Sequence, residues 1–175
     1  MISIQRKSLL RVSSAYRTVS AEAVQLIAGF PPIDLMLAER CFLFTRWQER
    51  WTREHGKADW TKRLISKIEA WLESTHKRTG YFFTQFLTGH GSFGTYTKRI
   101  RKIPDDKCIE CKVPDSPEHT YQACKRWNTE REEVRKELGT LPPIEEIITR
   151  MLETPESWNI LYSYIAGIMR RKERG

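Results

Sequence analysis

Four residues in one short window constrain this chain more than anything else in it. Cys108, Cys111, His119 and Cys124 are spaced Cys-x2-Cys-x7-His-x4-Cys. A Cys-x2-Cys turn puts two thiolates on one side of an ion, a His-x4-Cys pair closes the other side, and the seven-residue loop makes the crossing. Four nitrogen and sulfur donors in that order suit Zn²⁺ in a closed tetrahedron. No coordination position is left open for a substrate, so the metal is expected to be structural. Pro114 and Pro117 favour an ordered turn in the loop. Three cysteines cannot pair off within the cluster, and the N-terminal residues lead into no apolar signal segment. Disulfides and secretion are therefore not expected, and an intracellular location is. Zinc binding of this type contributes on the order of 10–16 kcal/mol, against about 5–15 kcal/mol for the net stability of a whole domain. Loss of one ligand is expected to unfold at least the local module. The fourth cysteine, Cys41, falls on the apolar stripe of a predicted helix and is expected to be a buried free thiol.

The rest of the 175 residues reads as helix after helix. The pattern predicts helices over Ser8–Val19, from a Ser20 cap through Ala28 to a stop at Gly29, and over Ile33 to about His55. Leu37, Cys41, Phe44, Trp47 and Trp51 recur at three- and four-residue steps on the third. Asp59 begins another that runs to about Arg78, with Leu64, Ile65, Ile68, Trp71 and Leu72 on its buried face. Tyr81 to Ile103 is helical but broken at Gly89-His90-Gly91 and Gly94. After the cysteine cluster, Trp127–Leu138, a segment opened by Pro142-Pro143 and ending at Leu152, and Pro155 to about Arg171 complete the set. Few runs alternate with period two, so the fold class expected is all-α, a multi-helix domain with one small inserted CCHC zinc knuckle. The expected divisions are a helical region 1–103, the knuckle 104–127 and C-terminal helices 128–175 that pack back on the first region. Most of the six Trp, six Tyr and seven Phe sit at helical spacing with Leu and Ile and are expected in the core.

Charge narrows the class of partner. Thirty Lys and Arg against 22 Asp and Glu give a net charge of +8 and a pI near 9.5. Such a field attracts polyanions. Mean hydropathy is −0.57 and no long apolar run occurs, so a membrane partner is not expected. Lys98-Arg99-Ile100-Arg101-Lys102 packs four cations just before the cluster, and Lys107, Lys112, Lys125 and Arg126 flank it. Lys98, Arg99, Arg101, Lys102, Lys125 and Arg126 are the candidate phosphate contacts for RNA or DNA. Trp127 either stacks on a base or pins the knuckle to the following helix. Arg170-Arg171-Lys172 reads as a solvated helix end, suited to the dipole there.

No catalytic constellation accompanies these features. Ile103-Pro104-Asp105-Asp106 has two adjacent carboxylates, but it lacks an aromatic partner and a strand hairpin to aim them at Mg²⁺. His90 sits between two glycines without an identified carboxylate or nucleophile. No phosphate-cradling glycine loop and no nucleophile elbow occur.

Further residues carry a resemblance. Leu10-Arg11-Val12-Ser13-Ser14-Ala15-Tyr16-Arg17-Thr18-Val19-Ser20, then Ala28-Gly29 and Pro32-Ile33, resemble the segment after the reverse-transcriptase domain of non-LTR, LINE-like retrotransposon polyproteins, closest to the insect elements that insert into ribosomal DNA. Trp60-Thr61, Leu64-Ile65, Leu87-Thr88-Gly89-His90-Gly91, Phe93, Tyr96, Glu118-His119-Thr120 and Arg126-Trp127 extend it over roughly residues 8 to 165. Lys125, where proline is expected, and Tyr121, where leucine is common, depart from the pattern without touching a ligand. The resemblance implies a zinc-knuckle region beside an RNA-directed DNA polymerase, in a polyprotein that also carries an endonuclease. It implies a nuclear setting, partners in RNA, target DNA and the polymerase domain, and a fragment, remnant or host-adopted copy without a catalytic site of its own. The alternative expectation is a zinc-stapled interaction module that docks on the polymerase domain or a host protein.

Overall fold

The computed structural model describes residues 1–53, 56 and 58–174. Those residues form helices and connecting turns, with no strand among them and a single isolated bridge between Lys107 and Pro114. The all-α class expected from periodicity is the class observed. No helix among the described residues is long and apolar enough to cross a membrane. The chain divides into two compact units, Met1–Arg50 and Trp51–Gly175.

The first unit contains α1 (Ile2–Val12), α2 (Ala21–Ala28) and most of α3 (Ile33–Arg53). Ser20 caps α2 by accepting the Ala23 N–H at 3.2 Å, and Gly29 ends it at a left-handed φ of 70°. α1 departs from the pattern, starting at Ile2 and stopping at Val12 instead of reaching Val19. Ser14 turns the chain with φ 51°, and the Arg6 guanidinium donates to the carbonyls of Arg17 and Val19, which holds 15–19 out of a helix. Leu9, Leu10 and Val24 form the small core, with Ala15, Val19 and Ala28 against it. α3 is described to Arg53; its predicted end at His55 lies outside the described residues. No residue of α3 is buried, and Cys41, expected in a core, is exposed. The stripe exists but nothing in this unit covers it.

The second unit is built on α10 (Pro155–Arg174). Trp158, Leu161, Ile165 and Ile168 recur at steps of three and four, and all are at most 1% exposed. α6 (Tyr81–Thr88), α8 (Asn128–Leu138) and α9 (Ile147–Glu153) pack against that stripe. Phe83 meets the Trp158 ring edge-on at 5.8 Å, and Trp71 lies tilted at 6.0 Å. The helix expected over 59–78 is two helices, α4 (Asp59–Leu64) and α5 (Ile68–Glu73). A continuous helix would need the Ile65 carbonyl, but the Trp51 indole N–H takes it at 2.8 Å. α7 (Gly94–Arg99) is a short turn before the cysteine segment. Pro143 precedes a 3-10 turn, Ile144–Glu146, and not an immediate α-helix.

The fully buried Ile165 touches the core from the middle of α10. Ile165→Ala is expected to destabilise the second unit by about 2–5 kcal/mol, read as a shift of the urea midpoint.

Candidate metal centre

Local geometry brings the four spaced residues together. The Cys108 N–H donates to the Val113 carbonyl at 2.8 Å and the Lys112 N–H to the Cys108 carbonyl at 2.9 Å, closing a tight loop. Lys112 completes it in the left-handed region, φ 59°. The chain then runs through Pro114 and Pro117 into a wide helical turn, His119–Ala123, which carries His119 and delivers Cys124. One donor atom from each of Cys108, Cys111, His119 and Cys124 lies within 4.8 Å of the others.

These donors fit a tetrahedral metal. The Cys108 and Cys124 Sγ atoms are 3.7 Å apart. A tetrahedron with metal–sulfur bonds of about 2.3 Å has a sulfur–sulfur edge of about 3.8 Å, whereas a disulfide needs about 2.05 Å. The His119 Nε2 is buried without a hydrogen-bond partner. Burial holds His119 below the ordinary imidazole value; Lys172 and Arg131 push the same way and Asp115 opposes them. A neutral imidazole is the form that ligates. Burial alone would raise the Cys108 thiol, but N–H donors at Cys111 and Glu110 and the neighbouring sulfurs bring it below its ordinary value. Burial pushes Cys124 up to about 12. The Lys125 N–H donates to the Cys111 sulfur at 3.3 Å, so this departure from the expected proline, read as clear of the ligands, touches one through a donor that proline lacks. Backbone dipoles thus converge on a sulfur group that would be unfavourable without a cation among it.

A half-buried carboxylate and a buried guanidinium fasten this cluster to the helical core, and neither was singled out from the sequence. Asp115 accepts the Lys172 ammonium at 2.5 and 2.6 Å, the Gly94 N–H at 3.1 Å and the Thr120 hydroxyl at 3.1 Å. Its ion pair leaves the side chains only 10% and 14% exposed. The C-terminal end of α10, read as solvated, is instead engaged: Lys172 continues the 158–161–165–168 stripe by one step, and Arg171 meets Glu130 at 2.7 Å. Gly94 is required here, since a Cβ would come within 2.6 Å of the Asp106 carbonyl oxygen. Arg131 is 2% exposed and donates to the carbonyls of Cys124 and Tyr121 and to the Asn128 side chain. The Tyr164 hydroxyl also donates to the Tyr121 carbonyl, at 2.8 Å. Neither was marked in the sequence: Asp115 lies in the cysteine loop, and Arg131 is one of several charged residues along α8.

The expected phosphate contacts are dispersed in role. Lys98 pairs with Asp106 at 2.9 Å. Arg99 lies over Tyr96 and reaches the His90 Nε2 at 3.1 Å. Arg126 covers one part of the Trp127 ring at 4.7 Å and Arg171 another at 5.3 Å. Trp127 is 3% exposed, so of its two expected roles its burial allows packing and leaves no face for a base. Among the described residues Arg101, Lys102, Lys107, Lys112 and Lys125 have no carboxylate partner. His90 stands against Tyr96 at 4.5 Å, with its other nitrogen on the Thr88 carbonyl, and no nucleophile joins it.

Comparison with known proteins agrees with the resemblance. The chain is similar to "Retrovirus-related Pol polyprotein from type-1 retrotransposable element R1 4" of Nasonia vitripennis, 26% identical over 206 aligned positions that cover 97% of this chain and 50% of that protein. The chain is related to a region of a retrotransposon Pol polyprotein. It spans about half the length of the curated relative it matches. No family model matches, and no solved structure matches.

Removing Asp115 strands a shielded ammonium at the junction between α10 and the cysteine loop. Asp115→Ala is expected to destabilise the second unit by about 3 kcal/mol, measured by thermal unfolding, with Lys172→Met largely restoring stability in the double variant.

Proposed function

We propose that the chain is a zinc-stapled, nucleic-acid-binding region of a retrotransposon-type polyprotein, which helps to hold RNA or target DNA beside the polymerase during target-primed reverse transcription. One observation carries this reading: three cysteines and a neutral histidine converge at tetrahedral spacing in a strongly basic chain related to a Pol polyprotein. Zn²⁺ is the ion the donor set favours, because soft thiolates and an imidazole select it over oxygen-seeking cations. Cys108, Cys111, His119 and Cys124 would hold it. Three thiolates and Zn²⁺ would carry about one negative charge, which Arg131 offsets from inside. Arg101, Lys102, Lys107, Lys112 and Lys125 are left to face phosphates, with Arg99 and Arg126 adding charge from their stacked positions. Contacts of this kind follow the backbone and not the base sequence. The role fits a nuclear protein without its own catalytic residues.

A second reading has an observation of its own. Lys98, Arg99 and Arg126 already have partners within the chain. That favours a zinc-stapled module whose helices dock on the polymerase domain or a host protein, its remaining lysines serving solubility.

Elemental analysis of the purified chain is expected to give about one zinc per molecule. Cys111→Ser is expected to lose the metal and open residues 105–130 to protease, and a chelator should do the same to the unaltered chain. Zinc retained by Cys111→Ser would mean that other residues ligate it. Gel-shift titration with single- and double-stranded RNA and DNA separates the two functional readings. Four or five phosphate contacts give a log–log salt slope of about 3 to 4, and no binding at about 50 mM salt would favour the docking module.

A further inference from the structure

α3 is a 21-residue helix without a buried residue; Leu35 and Phe42 lie on one face, and most of its other large apolar side chains gather on the opposite one. Ile33, Leu37, Phe44 and Trp47 follow the four-three steps of a helix seam, interrupted by Arg40 alone. Met36 and Leu43 flank that seam on one side and Cys41 on the other. Met36 is 43% exposed, Leu37 39%, Leu43 58% and Trp47 50%. A stripe of this width on a water-facing helix marks an interaction surface.

We propose that α3 pairs with α3 of a second copy of this chain, antiparallel, seam against seam. Charge selects both the occupant and the direction. Residues 33–42 carry Asp34, Glu39 and Arg40, two acids and one base; residues 43–53 carry Arg46, Glu49, Arg50 and Arg53, three bases and one acid. Antiparallel pairing lays each acidic half along a basic half. A parallel pair would bring Arg40 onto Arg40. In the antiparallel pair Leu37 meets Trp47 of the second copy, and Arg40 meets its Phe44. That last contact repeats one the helix already makes, since the Arg40 guanidinium lies 5.3 Å from the centre of its own Phe44 ring. The two-fold axis passes near residue 42. Leu43 then faces Leu43 across the axis on one side, and Cys41 faces Cys41 on the other. The seam from Ile33 to Trp47 is about 22 Å long, which places the dimer among the smaller interfaces. The inference rests on α3 alone and is independent of the metal centre.

Sedimentation equilibrium of the zinc-loaded full chain from about 1 to about 200 µM tests it, beside cross-linking with a short bismaleimide. A concentration-dependent dimer bridged through Cys41, with no bridging in Cys41→Ser, is expected. Leu43→Arg and Trp47→Glu replace exposed side chains, so zinc content and helix content should not change. Each should move the dimer midpoint at least about tenfold higher. A monomer over the whole range overturns the proposal and assigns the face to a different protein. A dimer indifferent to both variants, or one that Cys41 cannot bridge, overturns the α3 seam or its antiparallel sense.

Discussion

Lys172 and Asp115 meet at 2.5–2.6 Å where water reaches little of either, and each would be unfavourable there alone. Their partnership joins two structures of different origin. Lys172 is carried by α10, whose position is fixed by the burial of Trp158, Leu161, Ile165 and Ile168. Asp115 is carried by the cysteine loop, whose shape is set by short-range turns and by the demand for four converging donors. Each side supplies a charge that only the other can satisfy. The metal centre is therefore not a bead hung on a helical domain but a part of its core, and the hydrophobic contacts that include Cys108, Cys124, Tyr121 and Trp127 run continuously into α6, α8 and α10.

The same arrangement resolves an electrostatic difficulty. A site of three thiolates accumulates negative charge in a poorly hydrated place. Arg131, bound entirely to carbonyl and amide oxygens among the described residues, is the buried cation beside it, while the charge of Lys172 is taken by Asp115. Burial does most to hold His119 below the ordinary imidazole value, Asp115 opposes it, and both cations push the same way as burial. The cations outside the cluster, by contrast, divide between local partners and open solvent. A basic net charge alone did not distinguish these two uses; only the position of each cation relative to the sulfurs does.

What was legible in the sequence follows from range. The ligand spacing, the Ser20 cap, the Gly29 stop and the start of the last helix at Pro155 are local features, encoded within a few residues, and they appear in the structure where the pattern put them. The break between α4 and α5 was not legible, because it depends on the Trp51 indole reaching Ile65 fourteen residues on. Asp115 and Arg131 were passed over for a similar reason. Nothing beside Asp115 announces that Lys172, 57 residues later, will arrive at it. Exposure of Cys41 was also beyond the pattern: a helix reveals which of its faces is apolar, but not whether anything lies against that face.

That last distinction separates the two units physically. In Trp51–Gly175 the apolar side chains close on one another and on Cys108 and Cys124, so most large side chains find a dry place within the unit. In Met1–Arg50 only Leu9, Leu10 and Val24 do, and the longest helix of the unit leaves its apolar side in water. Fifty residues ordered around three buried apolar side chains have little hydrophobic stabilisation to set against their lost conformational freedom. The first unit thus gains disproportionately from any surface that covers α3, and a chain with such an imbalance ties the order of one part to the company it keeps while the other part stands on its own core.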